Sequence, residues 1–304
     1  YEVSNSVRLN DAYLSRTPSS AGNRRTYTIS TWVKRSKFGG DQTIFGSAPS
    51  TSVYAHLVFD ADDIKFDDYN GGTQAALRTT GVHRDPSAWY HIVLAVDTTQ
   101  GTESNRLKLY VNGVEPTLDA KSCTQNHESQ INNTTAQSVG TLASAYVSGY
   151  YFSGYVAETH FIDGAAKAQT DFGEFNDNGV WIPKKYTGTY GTNGFYLQYK
   201  QTGTSQNSSG IGADTSGNDN HFAVTSLGAT DVTEDTCTNN YATLNSINLS
   251  SNITISEGNL KTTASAAWYS AIGTIYATSG KWYYEFALTT DNWIVVGVVP
   301  TSQN

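Results

Sequence analysis

Sulfur and charge are both scarce in this chain. Only two cysteines, Cys123 and Cys237, occur among 304 residues, far apart and each in a polar, turn-like context. Neither a disulfide framework nor a zinc site is indicated, and two unpaired thiols are expected. Methionine is absent, so the chain is expected to be processed or to be part of something longer. No apolar run approaches the length of a membrane-spanning helix, and the opening YEVSNSVRLND lacks the basic and apolar regions of a signal peptide. Membrane insertion is therefore not expected. Charged residues make up 15%, the formal net charge is −8, and no Lys/Arg-rich run occurs. That removes the electrostatic footprint of a nucleic-acid or anionic-membrane binder. Helical periodicity is nearly missing too: the best candidate, AAKAQTDFGEF after Gly164, is too short and too Gly-interrupted for more than one or two turns.

What remains is a chain of strands and turns. Aromatic residues reach 12%, with 20 Tyr, and Gly reaches 27, a profile of β-rich surfaces. Leu107, Leu109 and Val111 are apolar, while Arg106, Lys108, Tyr110 and Asn112 face the other way, the period-two signature of a half-buried strand. Asn112-Gly113 then predicts a type I′ turn, with Val114 to Thr117 as a short return strand. Trp89 to Val96 is apolar on both faces and suits an inner strand. RTYTISTWVKR alternates, with Tyr27, Ile29, Thr31 and Val33 on one side and Trp32 on the other. With QTIFGS, VYAHLVFD, DIKFDDYN and GYVAETHFIDG at short intervals between turn residues, the pattern is that of an antiparallel sandwich.

Three stretches differ in texture. Residues 1–172 hold the first set of strands. Residues 173–240 are rich in Gly, Thr, Asn and Tyr, yet Trp181, Ile182, Phe195, Tyr196, Leu197 and Tyr199 bring more large apolar groups than a disordered linker carries, so an ordered connector with the strand GFYLQY is expected. From 241, NITISEGNLKTT, KWYYEFAL and WIVVGVV read as strands of a second, incomplete sandwich, with Trp282, Tyr284, Phe286 and Leu288 on one apolar face.

YTISTWVKR, SAWYHIVLAVDTTQ followed by NRLKLYVNGV, and FSGYVAETHFIDG resemble, in order and spacing, laminin-G-like, concanavalin-A-like jelly-roll domains, over about Ser6 to Phe172. The resemblance implies that Trp89 and Tyr90 fill the core and Asn112-Gly113 make a turn. The block SEGNLKTT to VVGVV resembles the N-terminal half of a SPRY-like sandwich, and the connector resembles one found in structural proteins of marine tailed phages. The fold class expected is thus all-β: a jelly-roll sandwich, a Gly/Tyr-rich connector and a partial SPRY-like β-sandwich. The resemblance implies a bacteriophage virion protein exposed on the particle surface, a tail-fibre, tail-spike or capsid-fibre component. Its partners would be copies of itself, as a homo-oligomer with a trimer favoured, other virion proteins and host-surface glycans. The alternative is a passive structural or capsid-decorating protein; a glycan hydrolase or a cellular adhesin ranks below both.

No catalytic or metal-binding residue is assigned. Retaining glycanases on this fold set two carboxylates on alternate residues of one strand; Glu-x-Asp-x-Glu is absent. In AETHFID, Glu158, His160 and Ile162 share a face and Asp163 points to the other, which reads first as the polar outer face of an edge-like strand. Asp60, Asp62, Asp63, Asp67 and Asp68 could suit calcium, the one cofactor considered, but their spacing is not that of an EF-hand loop and Asp is an ordinary turn former. His83, His91, His127 and His160 stand singly, with His91 inside an inner strand. GTYGTNG and SSGIGADTSGN are Gly-rich without a P-loop Lys-Ser/Thr and read as turns. Tyr54, Tyr69, Tyr146, Tyr150 and Tyr151 could stack on sugars or simply pack. The protein is expected not to be an enzyme, and its binding residues stay unassigned.

Overall fold

The structure, a computed structural model, describes residues 1–142, 150–247, 249–264, 269–289 and 295–298. The first twelve strands in chain order are β1 (Ser6–Leu9), β2 (Tyr13–Arg16), β3 (Thr26–Arg35), β4 (Asp41–Ser50), β5 (Val53–Asp60), β6 (Asp63–Asn70), β7 (Thr73–Val82), β8 (Trp89–Asp97), β9 (Leu107–Val111), β10 (Leu118–Cys123), β11 (Gln137–Val139) and β12 (Gly154–Asp163). Seven shorter strands follow: β13 (Gly173–Phe175), β14 (Trp181–Pro183), β15 (Phe195–Leu197), β16 (Ala223–Thr225), β17 (Val232–Thr233), β18 (Ile253–Ser256) and β19 (Lys261–Ala264). The helical candidate after Gly164 contributes a single 3-10 turn, Gln169–Asp171.

Two antiparallel sheets face each other. One runs β17-β1-β12-β3-β8-β9, with β15 added to the far half of β12; the other runs β10-β7-β6-β5-β4-β11-β2-β16. Their facing sides follow the alternation in the sequence. Tyr27, Ile29 and Val33 of β3 and Leu107 and Leu109 of β9 meet Ala55, Leu57 and Phe59 of β5 and Ile64 and Phe66 of β6 in one core. Each large side chain so buried stabilises the fold by roughly 1.5–3 kcal/mol.

Three expectations need correction. Asn112 and Gly113 do adopt positive φ, 48° and 79°, as a type I′ turn requires, but Val114 to Thr117 is no return strand. Only a bridge between Val111 and Val114 forms; the chain then crosses to the other sheet, where β10 pairs with β7. AETHFID is not at an edge, because β12 pairs with β3 on one side and with β1 and β15 on the other. The segment 281–288 is not a strand, and Trp282, Tyr284, Phe286 and Leu288 are all exposed. No described strand lies beside it, and alternation without a ladder partner leaves extended chain with both faces in water. The strand expected at Trp293 to Val299 lies largely outside the described residues.

The stretch 173–240 divides: residues 173–190 and 235–240 lie over the outer side of the seven-stranded sheet, whereas Phe195, Leu197, Tyr199, Ile211 and Phe222 join the core between the sheets and β16 extends the eight-stranded one. Trp32 and Ala157 on the outer side of the seven-stranded sheet pack with Trp181 of β14, and Val93 and Ile162 pack with Phe172 and Tyr186. Lys34 is fully buried there, its Nζ 2.5 Å from Asp235 Oδ2 and 3.1 Å from Asn240 Oδ1. The same stretch returns to the start of the chain: Val3 N donates to Thr238 Oγ1 at 3.1 Å, Thr236 and Thr238 hydroxyls donate to Val3 O, and β17 pairs with β1. One sheet is thus covered on both sides, while the outward side of the eight-stranded sheet carries the half-buried Tyr54, Lys65, Tyr69 and Arg78.

Candidate functional site

That outward side is built around the tight turn between β5 and β6. Ala61 takes positive φ, 55°, and the register that follows sets Tyr54 opposite Tyr69, His56 opposite Asp67, Val58 opposite Lys65 and Asp60 opposite Asp63. Because Ala55, Leu57, Phe59, Ile64 and Phe66 belong to the core, these intervening residues point outward. The Tyr54 and Tyr69 rings stack with centroids 5.5 Å apart and 14° between planes. Tyr54 also meets His56 edge-on at 5.4 Å, and its hydroxyl donates to Asp67 Oδ2 at 3.4 Å.

Charges on this face are cross-linked. Lys65 Nζ lies 3.6 Å from Asp60 and 3.3 Å from Asp67. Arg78 on β7 reaches Asp60 at 3.3 Å and Asp63 at 3.0 Å, and these contacts, Asp63 first, hold its guanidinium above its ordinary value. Asp41, opposite Asp60 on β4, has its carboxyl pushed up by burial and by the Asp60 charge. His56 shares a hydrogen bond of 3.2 Å with Thr43 Oγ1, and burial, then Lys65, lowers its pKa to about 3, so the ring is neutral. Tyr150 lies 6.2 Å from His56, and its carbonyl accepts from Thr43 N at 3.0 Å, so the chain crosses one flank of the face. A fixed aromatic pair beside ion-paired carboxylates can stack on the C–H side of a sugar ring and bond its hydroxyls.

The five aspartates do not converge. Asp60, Asp63 and Asp67 face outward, as above. Asp62 is buried in the turn between Arg35 at 2.9 Å and Arg84 at 2.5 Å. Those partners and the Gly39 N–H outweigh burial, the largest single influence, and hold its carboxyl below the usual range. Asp68 points inward, fully buried, with Oδ1 3.1 Å from His127 Nε2. Among the described residues no three His, Cys, Asp or Glu side chains come together as a metal site.

Glu158 and His160 do meet. Glu158 lies in a β-bulge between Ala157 and His160, with φ 49°, and its carboxylate stays on the connector side beside His160, where Ile162 also packs. Its Oε2 accepts from Tyr1 at 2.8 Å and Tyr196 at 2.5 Å and lies 3.7 Å from His160 Nε2. His160 stacks on Tyr196 at 4.1 Å, beneath the connector. Asp163 is taken up by loop bonds from Asn23 N, Asn132 Nδ2 and Asn193 N. His83 sits against Tyr90 at 5.1 Å. His91 Nε2 pairs with Ser30 Oγ at 2.9 Å, and burial takes its pKa down to about 3. Cys123 is buried, its thiol pushed up to about 11 chiefly by that burial, and Cys237 is a second free thiol. Tyr151 packs on Tyr13 at 6.2 Å; Tyr146 lies outside the described residues.

Two antiparallel sheets packed face to face around one core define the class as a β-sandwich. Residues 6–170 match the model of the concanavalin A-like lectin/glucanases superfamily, and the chain belongs to that family. No curated protein matches it in sequence. Among solved structures it is similar to a candidate carbohydrate-binding protein from Bacteroides ovatus, at 13% identity and a TM-score of 0.51, with 77% of this chain and 60% of that one covered. This chain thus spans less than two thirds of that protein's length. Domains LG4-5 of the mouse laminin α1 chain are similar over 62% of this chain and 48% of that one, at 12% identity and TM-score 0.40. The CBM40 of the Ruminococcus gnavus IT-sialidase is similar over 51% and 89%, at 14% identity and TM-score 0.36.

Proposed function

We propose that the chain is a glycan-binding module, with the outward side of the eight-stranded sheet around Tyr69 and Arg78 as its contact surface. The observation that carries this is the stacked Tyr54–Tyr69 pair, held beside the Lys65 and Arg78 ion pairs on the outward side of the sheet. The fold shared with a candidate carbohydrate-binding protein supports it. The module acts by binding, not by catalysis: Glu158, the carboxylate nearest a histidine on β12, is buried beneath Tyr196 and is spent on two phenol hydrogen bonds. On the resemblance of the connector to phage structural proteins, we place the module on a bacteriophage virion, in a fibre-type component displayed outward as a homo-oligomer. Many weak sites on one particle would then add up through effective concentration.

A glycan array followed by calorimetry, with and without calcium, tests the reading. Saturable binding that falls at least tenfold in Tyr69→Ala, with an unchanged denaturation midpoint, is expected. Absence of saturable binding to any glycan would sink it. A passive, assembling role is favoured by one observation, the exposed run from Trp282 to Leu288. Particle assembly without any glycan binding would select that role.

A further inference from the structure

The two Gly-rich motifs that read as turns build something together. GTYGTNG, residues 188–194, and the loop 214–220, which takes in the end of the second motif, border a shallow, open depression of about 520 Å3, lined by Gly188, Thr189, Tyr190, Thr192, Ser216 and Asn218. That volume falls within the range of small-ligand sites.

The depression is held rigid from behind. Asn218 Nδ2 donates to the Gly191 and Gly194 carbonyls at 2.7 and 2.9 Å, and Asn220 Nδ2 to those of Thr192 and Gly194 at 2.9 and 2.8 Å. Asp214 is saturated: Oδ1 accepts from Tyr196 N and Ser216 N, and Oδ2 from Ser216 Oγ and Asn220 N. Gly191 has φ 75°, and a Cβ there would fall 2.2 Å from Asp163 O, so the loop can lie this close to β12 only as glycine. The aromatic wall is fixed as well. Tyr190 lies parallel to Tyr196 and His160, at 6.2 and 6.0 Å, and its hydroxyl shares a 3.0 Å hydrogen bond with His160 Nδ1. Turn formation alone accounts for the glycines and asparagines. It does not account for Thr189 and Thr192, both exposed, standing around a fixed aromatic ring.

We propose that this depression is a second saccharide site, separate from the sheet face, and that it takes an uncharged sugar. The exposed part of the half-buried Tyr190 ring, the Thr189 and Thr192 hydroxyls and the Asn218 side-chain carbonyl match part of a sugar's apolar C–H face and hydroxyl rim. A preformed floor removes most of the ordering penalty that weakens small-ligand binding. Among the described residues no carboxylate, ammonium or guanidinium lines the depression, so a charged sugar would give up hydration there without finding a counter-charge.

The test uses the full chain carrying Tyr69→Ala, which disables the sheet face. Lactose, maltose and N,N′-diacetylchitobiose serve as neutral probes, glucosamine and glucuronate as charged ones, read by saturation-transfer NMR and calorimetry. Thr189→Trp and Thr192→Arg, at exposed positions, block the depression; an unchanged denaturation midpoint shows that the fold survives. At least one neutral disaccharide should bind the Tyr69→Ala chain, and each block should weaken it at least tenfold. The proposal falls if no neutral probe binds that chain, if binding ignores both blocks, or if a charged probe is preferred. Binding by the unsubstituted chain that vanishes with Tyr69→Ala overturns this site and leaves the sheet-face reading standing. Binding that survives Tyr69→Ala and yields to Thr189→Trp supports this site, and the sheet-face reading falls only if Tyr69→Ala changes neither affinity nor stoichiometry for any glycan.

Discussion

His91 Nδ1 accepts the indole N–H of Trp181 at 2.9 Å, so an inner strand of the sandwich holds the connector hairpin by a neutral imidazole. The same ring stacks on Trp32 at 4.6 Å. Trp181→Phe keeps the stack and loses the hydrogen bond, leaving a buried acceptor unmatched. A loss of about 1–3 kcal/mol is expected in urea denaturation; no loss would show that the bond contributes nothing.

Acid should unfold the protein earlier than its carboxylates alone would. His91 and His56 both have folded pKa values of about 3, against about 6.5 unfolded. The unfolded state therefore binds more protons between those limits, and stability present above pH 6.5 is lost as pH falls toward 3. Each histidine contributes a slope of up to about 1.4 kcal/mol per pH unit within that window. Asp62, held low in the fold, adds loss of the same sign at the acid end. Urea midpoints from pH 7 to pH 4 should fall steeply, and less so in His91→Gln.

The buried Lys34–Asp235 pair ties the connector to β3. Burial lowers the Lys34 pKa and raises that of Asp235, while each partner's charge opposes the shift in the other. Asp235→Ala strands an ammonium beneath Trp89 and Tyr155 and is expected to destabilise by about 3–5 kcal/mol, whereas Lys34→Met with Asp235→Leu is expected to be near neutral. A double-mutant cycle in guanidinium measures both. Equal losses in the single and double variants would refute this account.

Gly113 is fixed by two constraints at once. Its φ is 79°, and a Cβ would stand 2.3 Å from the Trp181 ring. Gly113→Ala should destabilise by about 1–3 kcal/mol through overpacking and backbone strain. Gly101→Ala, with ordinary φ and nothing within 4 Å, should stay within about 0.5 kcal/mol. Similar thermal shifts in both would contradict the argument.

The sandwich was legible because its signals are local. Alternation at Tyr27, Ile29 and Val33 and the Asn112-Gly113 turn required no knowledge of the rest of the chain. The pairing on the outward side was within reach too: Tyr54 and Tyr69 lie equidistant from the Ala61-Asp62 turn, and a two-residue turn fixes such partners. What could not be read was non-local. The bulge at Glu158 leaves no mark in the sequence, and Lys34 looks like a surface lysine until Asp235 is brought over it. The run at 281–288 shows the opposite failure, since perfect alternation there does not create a neighbour to pair with.

The bonds from Thr236 and Thr238 to Val3 have one more consequence. They make the closure of β1 depend on residues more than two hundred positions away: a chain cut before Val232 would lose the Val3 bonds and the β1–β17 pairing together, and the amides of β1 should then exchange faster than those of β3 and β8.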